Sequence, residues 1–463
     1  MSAPAIGNTV RGMGRSFGRE AFASLENPNY RLYFSGQVVS MVGNWMQTVG
    51  QSWLVLQLTG SATMIGLVVA LQTLPVLLLG PYGGVIADRV DKRKMMIVLQ
   101  AGKLALALIL GLLAISHTVQ IWHVFLLAGL LGLDNSFENP ARQAFVQEMV
   151  GREHLRNAVS LNQVIANGAR AVGPAGAGIL IASAGVGVCF LANAASFVAV
   201  ISSLVMLNTS KLMPSPPAPR AKGQVREGFR YVRRTPALAI PLVMTSIIGC
   251  LAYEFQVVLP IVAKETFHGD SRTYGFMTAA MGAGAIAGGL WAAARGRTGT
   301  APMIRSAVGF GLAILATSIA PTFFLALVAM VFVGFTSVTY LTKGSSTVQL
   351  ATDPMMRGRV MALWAVAFMG STPIGGPAVG WVCEQFGARA GLVLGGLACL
   401  VAAGLGWMYL RSAAGRREIA AEAAALEAAK AAPLDIAAEA AALEASALEA
   451  TALEAAETAA LDV

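Results

Sequence analysis

Apolar residues gather into runs of about twenty, parted by short polar stretches. The runs cover 34–58, 63–86, 95–115, 121–140, 157–182, 186–208, 237–262, 273–294, 302–319, 321–342, 360–383 and 390–411. Each is long enough to cross a hydrocarbon core of about 30 Å at about 1.5 Å per residue. The bilayer offers no water to backbone polar groups, so spanning segments are helices or closed barrels. Barrel strands alternate apolar and polar positions over about ten residues; these runs are longer and do not alternate. The pattern predicts an all-α integral membrane protein with twelve transmembrane helices.

Composition agrees: 56% of the 463 residues are hydrophobic and only 12% are charged. One soluble core could not hold that much apolar residue. The net charge of +9 would suggest nucleic acid in a soluble protein, but here its distribution explains it. Lys and Arg fall in alternate loops: Arg11 to Arg31, Arg89 to Lys94, Arg142 to Arg156, Lys211 to Arg234, Arg295 to Arg305, Lys343 to Arg359, and from Arg411 onward. Lys264, Arg272 and Arg389 are the exceptions in the intervening loops. Basic loops stay in the cytoplasm, so the expectation is a multi-pass protein of the cell (inner) membrane with both termini cytoplasmic. Residues 1–33 are polar and basic without an apolar core, so no cleavable leader is expected. Cys189, Cys250, Cys383 and Cys399 all fall in apolar runs and read as small core residues. No metal-ligand spacing is present.

The expected organisation is a cytoplasmic N-terminal segment (1–33), a first six-helix bundle (34–208), a cytoplasmic linker (209–236), a second bundle (237–411) and an Ala/Glu/Leu-rich cytoplasmic tail (412–463). Pro214, Pro216, Pro217 and Pro219 mark the linker. The halves look related. Val146-Gln147 opens a segment ending in Gly173-Pro174-Ala175, and Val348-Gln349 opens one ending in Gly376-Pro377-Ala378. Both read as a polar loop leading into a Gly/Pro-rich helix, the fifth and the eleventh. Repeated halves around a central site are a common transporter plan. In the tail, Leu443, Leu448 and Leu453 recur every five residues, which makes no helical stripe. The expectation there is a frayed, partly disordered acidic extension.

The densest charge cluster joins spans 2 and 3: Gly84-x-x-x-Asp88-Arg89, then Lys92, Arg93 and Lys94. Gly84 would let span 2 approach a neighbour closely, and the basic residues would hold the loop at the anionic inner leaflet. This spacing resembles the signature loop of major facilitator superfamily transporters, and the twelve-span, two-half layout fits that family over 30–411. Asp91 departs from it, standing where the family usually has Gly. The resemblance implies a cytoplasmic charge network that stabilises the outward-open state. Asp88 would meet the start of span 11 near Arg359 and Val360. Lys92 or Arg93 would meet an acid at the cytoplasmic end of span 4, for which Glu138 is placed. The second-half copy, Gly289 to Arg297, has Ala293 in place of the acid.

Span 5 carries Gly168, Gly173-Pro174, Gly176 and Gly178. This run resembles the helix-5 motif of the family's antiporters, which favours export in exchange for protons over uptake. The segments NPNYRLYFSGQ (Asn27 to Gln37), GNWMQTVGQSWLVLQLTGSA (Gly43 to Ala62) and ENPARQAF (Glu138 to Phe145) resemble the efflux branch that includes enterobactin-type siderophore exporters and macrolide efflux proteins. Many drug–proton antiporters carry an Arg within helix 4; Leu126 to Leu133 holds none, so that relay is not carried over.

Span 1 places Ser40, Asn44, Gln47, Thr48 and Gln51 on one face. Polar groups facing lipid are costly, so the stripe either lines a central cavity or makes interhelical hydrogen bonds. Gln163, Asn167 and Arg170 form a similar stripe on span 5. Trp45, Trp53 and Tyr253 are further cavity candidates, while Trp122 is expected at the outer interface. Embedded ionisable residues are Lys103, Asp134, Arg170 and Glu254; each is a functional candidate because an unpaired charge at depth costs at least about 2.5 kcal/mol. Lys103 can snorkel or pair with Asp134. Glu254 or Asp134 is the candidate proton-coupling acid, with Arg170 as its partner or an anion contact. The alternative is a static charge set.

The leading expectation is a secondary transporter exporting small amphipathic compounds (drug, antibiotic or siderophore class) by alternating access. It would be driven by the proton gradient without a cofactor or metal, as a monomer in the lipid bilayer. An uptake permease is the rival, and a non-transporting sensor or scaffold the further alternative. His117, His123, His154 and His268 are scattered, which argues against an enzyme. The chain has no G-x-x-x-x-G-K-[ST] phosphate loop, which argues against an ATP-driven pump.

Overall fold

The computed structural model describes residues 23–87, 89–213, 224–295, 298–413 and 415–416. The first half has α1 (Pro28–Thr59), α2 (Ala62–Ala87), α3 (Lys92–Ile115), α4 (121–150), α5 (152–184) and α6 (Val186–Met206). The second has α7 (Pro236–Thr266), α8 (Ser271–Arg295), α9 (Thr300–Ile319), α10 (Phe323–Ala351), α11 (Arg357–Phe386) and α12 (Ala388–Arg411). Ten of these twelve are apolar enough to be spans by composition alone. The other two, α1 and α4, carry the polar stripe and the acids. The protein is a multi-pass, all-helical membrane protein built as two six-helix halves.

Several boundaries move from their sequence-based positions. Span 4 was expected to stop at Pro140, but the helix runs through it to residue 150, because Pro is tolerated where neighbouring helices satisfy the freed backbone groups. Only Gly151, at φ 70°, separates α4 from α5, and Gly adopts that conformation without a Cβ penalty. Val146-Gln147 and Val348-Gln349 are therefore helical, near the ends of α4 and α10, rather than loops. Asp91 accepts a 3.0 Å hydrogen bond from the Lys94 backbone N–H and caps α3. That accounts locally for an acid where the family has Gly.

Two helices are broken at depth. The first segment of α7 ends at Leu251 and the helix resumes at Phe255; α11 breaks between Met369 and Thr372. The breaks lie against each other. A Cβ on Gly249 would stand 2.7 Å from the Phe368 carbonyl oxygen, and Gly375 abuts the Cys250 carbonyl.

The halves meet along α2 against α11 and α5 against α8. Gly66 lies on the Gly376 carbonyl, and a Cβ on Gly178 would come within 2.7 Å of the Ser271 carbonyl. These approaches lie in the part of each helix remote from the basic loops. There Glu384 accepts from Thr63 Oγ1 (2.7 Å), from the Thr63 backbone N–H (3.0 Å) and from Ser61. Near the basic loops, Tyr30, Tyr33, Met96, Phe145 and Leu204 are fully buried in a core internal to the first half.

A helix at Gln224–Arg234 precedes α7. Its Glu227 pairs with Arg359 of α11 at 2.9 Å, and its Tyr231 hydroxyl accepts from the Asp353 backbone N–H at 3.4 Å. The last turns of α12, from Trp407, belong to a second compact unit, within which the Arg411 guanidinium sits 5.4 Å from the Trp407 ring centre. The Ala/Glu/Leu-rich run beyond residue 416 lies outside the described residues.

Candidate functional site

The stripe on α1 opens onto a cavity of about 310 Å³ inside the first half. Asn44, Gln47, Thr48 and Gln51 line it, as the 3–4 residue spacing requires. The same side chains also bond between helices: Gln47 accepts from Asn193 of α6, and Gln51 accepts from Gln72 of α2 at 2.9 Å. Cavity lining and interhelical bonding are thus both realised on one face.

The far wall is charged. Lys103, 5% exposed, donates to Glu138 Oε2 at 2.8 Å. Its ammonium lies 3.8 Å from Asp134 Oδ2, which is buried and receives no hydrogen bond. Glu138 also pairs with Arg142 at 3.7 Å. Two acids and two bases balance, but unevenly: Glu138 takes the close contacts and Asp134 is left with one long one. Gln100 Oε1 is also buried without a partner. Lys103 therefore pairs rather than snorkels.

This corrects the expected role of Glu138 as partner to the loop cations. Because α4 runs ten residues further than its apolar run, the acid near its end is Glu148, and Lys92 pairs with it at 2.8 Å. Arg93 donates to the carbonyls of Leu204 and Val205 at 2.7 and 2.8 Å. Gly83 makes a close helix approach, against the Ser136 carbonyl. Gly84 lines a separate cavity of about 710 Å³ together with Arg142 and Gln163. Arg89 is exposed. Asp88 lies outside the described residues, and Arg359, its expected neighbour, is paired with Glu227.

A second cavity of about 80 Å³ lies between the halves. Trp45 and Thr48 line both cavities. The smaller one adds Arg170, Tyr253, Phe255 and Tyr274. Arg170 pairs with neither Asp134 nor Glu254; its guanidinium lies 4.9 Å from the Trp45 ring centre. Tyr253 donates to the Ser337 carbonyl at 2.8 Å. Trp53 is buried and stacks on Tyr274, with ring centres 6.5 Å apart. Asn167 is half-buried. Glu254 sits at the break in α7, 4% exposed, with Oε1 unpartnered and facing Gly375 of α11. Of the helix-5 glycines, Gly173 lies against Trp45 and Gly178 against α8, with the Pro174 carbonyl on Gly275, while Gly168 faces open space.

Sequence reading missed Gln100, Asn135, Asn139 and Arg142 as cavity residues. Asn135, Glu138, Asn139 and Arg142 follow helical spacing; only Arg142 lay beyond the expected end of span 4 at residue 140.

A polar cavity with embedded charges inside the first bundle, and a second cavity between the two bundles of spanning helices, suit a membrane transporter. The transmembrane secretion effector profile matches residues 19–437, and the chain belongs to that family of major facilitator transporters. Relatives agree. The staphyloferrin A transporter of Staphylococcus aureus (strain NCTC 8325 / PS 47) is 27% identical over 53% of this chain and 62% of its own length, less than two thirds of that protein. The enterobactin exporter EntS of Shigella boydii serotype 18 is 27% identical over 76% of this chain and 85% of its own. Solved structures share the fold. A bacterial homologue of the human lysosomal transporter Spinster, inward-facing and unoccupied, superposes with a TM-score of 0.68 at 12% identity over 85% of this chain and 98% of that one. The nucleoside transporter NupG gives 0.66 at 13% identity over 83% and 99%.

Proposed function

We propose that this protein exports small amphipathic compounds, in the siderophore or drug class, in exchange for protons. The carrying observation is the unevenly paired charge set beside the polar cavity: Asp134 Oδ2 is buried, lies 3.8 Å from Lys103 and receives no hydrogen bond. A buried carboxylate held this loosely can exchange a proton as the cavity changes access, while Glu138 stays committed to Lys103 and Arg142. Glu254, at the break in α7, is the second candidate carrier. The chain would work as a monomer in the cell membrane with both termini cytoplasmic, using no cofactor beyond the proton gradient. With the basic loops inside, halves closed at the opposite end correspond to an inward-facing state, ready to load from the cytoplasm. Asp88, Arg89, Lys92 and Arg93 would then work as the gate that forms when the molecule turns outward. The exporter among the relatives favours this direction.

Everted membrane vesicles with an acid lumen test the reading. A proton-exchanging exporter accumulates its compound there, and an uptake symporter does not. Asp134→Asn or Glu254→Gln should lower gradient-driven accumulation by about tenfold or more, equivalent to about 1.4 kcal/mol. If both variants accumulate as the parent does, neither acid carries the proton.

A further inference from the structure

We infer that the small cavity between the halves binds the acidic group of an anionic aryl compound, with Arg170 as its counter-ion. The inference rests on the reading of the protein as a transporter and specifies the charge and shape of what it carries.

Arg170 lies 14 residues from the Ala184 end of its helix, about 21 Å at 1.5 Å per residue. At that depth an uncompensated cation is costly. Three other cations of the first half face carboxylates: Lys103 has Glu138 and Asp134, Lys92 has Glu148, and Arg142 has Glu138. Among the described residues, no carboxylate lies within ion-pair distance of Arg170. Its guanidinium lies over the face of Trp45, 4.9 Å from the ring centre. That contact orients the guanidinium but leaves its charge without an anion. Glu254 does not supply one, being held at the break between α7 and α11. The missing anion is therefore assigned to the ligand.

The walls specify the rest. Trp45, Tyr253, Phe255 and Tyr274 line the same cavity as Arg170, and aromatic walls suit a planar ring. A volume of about 80 Å³ suits one ring-sized group. Tyr253 spends its hydroxyl proton on Ser337 and does not compete for the anion. Across Trp45 and Thr48 lies the 310 Å³ cavity with its amide side chains. That space suits a hydrophilic, hydrogen-bonding remainder. The carried compound would thus be an aryl acid at one end and a polar body at the other, not the lipophilic cation of many drug exporters.

Equilibrium binding to the purified full-length protein tests this without transport or a gradient. The probes are 4-phenylbutyrate, its amide and 4-phenylbutylamine, which share ring and chain and differ in charge. The carboxylate should bind at least about tenfold tighter than the amide or the amine, as a charge-assisted contact requires. Arg170→Gln should erase that preference and Arg170→Lys should keep part of it, with melting curves showing that both variants fold. Equal or tighter binding of the amine by the parent protein overturns the proposal, whether or not the variants fold. So does a carboxylate preference that survives Arg170→Gln. A preference that holds while vesicle transport proves independent of protons overturns the coupling mechanism alone and leaves the anion site standing.

Discussion

At the residue scale, Glu138 is the most committed side chain in the first half. It accepts from Lys103 at 2.8 Å and faces Arg142 at 3.7 Å, all within a protein interior. Removing one member of a buried ion pair leaves the others uncompensated, at about 3–5 kcal/mol. Glu138→Gln should therefore lower the melting temperature in detergent markedly, and Asp134→Asn should not, because Asp134 holds only a 3.8 Å contact. Equal losses for the two would mean that the charge set is shared rather than centred on Glu138. The residue types were readable in advance, since an acid or base inside an apolar run declares itself. Their pairing was not. Which of Asp134 and Glu138 takes Lys103 depends on the rotation of α3 against α4, and the partner of Lys92 on where α4 ends.

Among the elements, the closed end of the molecule is held by small residues and one carboxylate. Glu384 of α11 accepts from Ser61 and Thr63 at the start of α2. Cysteines at 61 and 384, in a Cys383→Ser background, should crosslink on mild oxidation, arrest transport, and regain it on reduction. Failure to crosslink in the membrane would show that the two ends do not meet. The number and class of helices were legible in the apolar runs. The breaks in α7 and α11 were not, because Gly, Ser and Thr at those places also suit continuous membrane helices. What bends them is contact: each break seats a neighbour's carbonyl on a glycine, as Gly249 does with Phe368.

For the whole molecule, the chain between the halves belongs in two parts to what flanks it. The first half holds the backbone as far as Met213, whose N–H donates to the Glu148 carbonyl at 2.8 Å, and Asn208 is tied to Asn29 of α1 at 2.8 and 3.0 Å. The second half takes over at Gln224–Arg234, through Glu227 on Arg359 and Tyr231 at Asp353. The ten residues 214–223 join two parts that are each anchored to their own half. Covalent continuity is then dispensable. Two separately encoded polypeptides, divided within 214–223 and coexpressed, should copurify and restore export. A division after Arg234 should do so poorly, since it strands the Glu227 and Tyr231 contacts on the wrong polypeptide. Pull-down of one half by the other, followed by the vesicle assay, distinguishes the two cuts. Such a gene could be split in nature, or its halves exchanged with those of a relative, at that one place without disturbing either bundle.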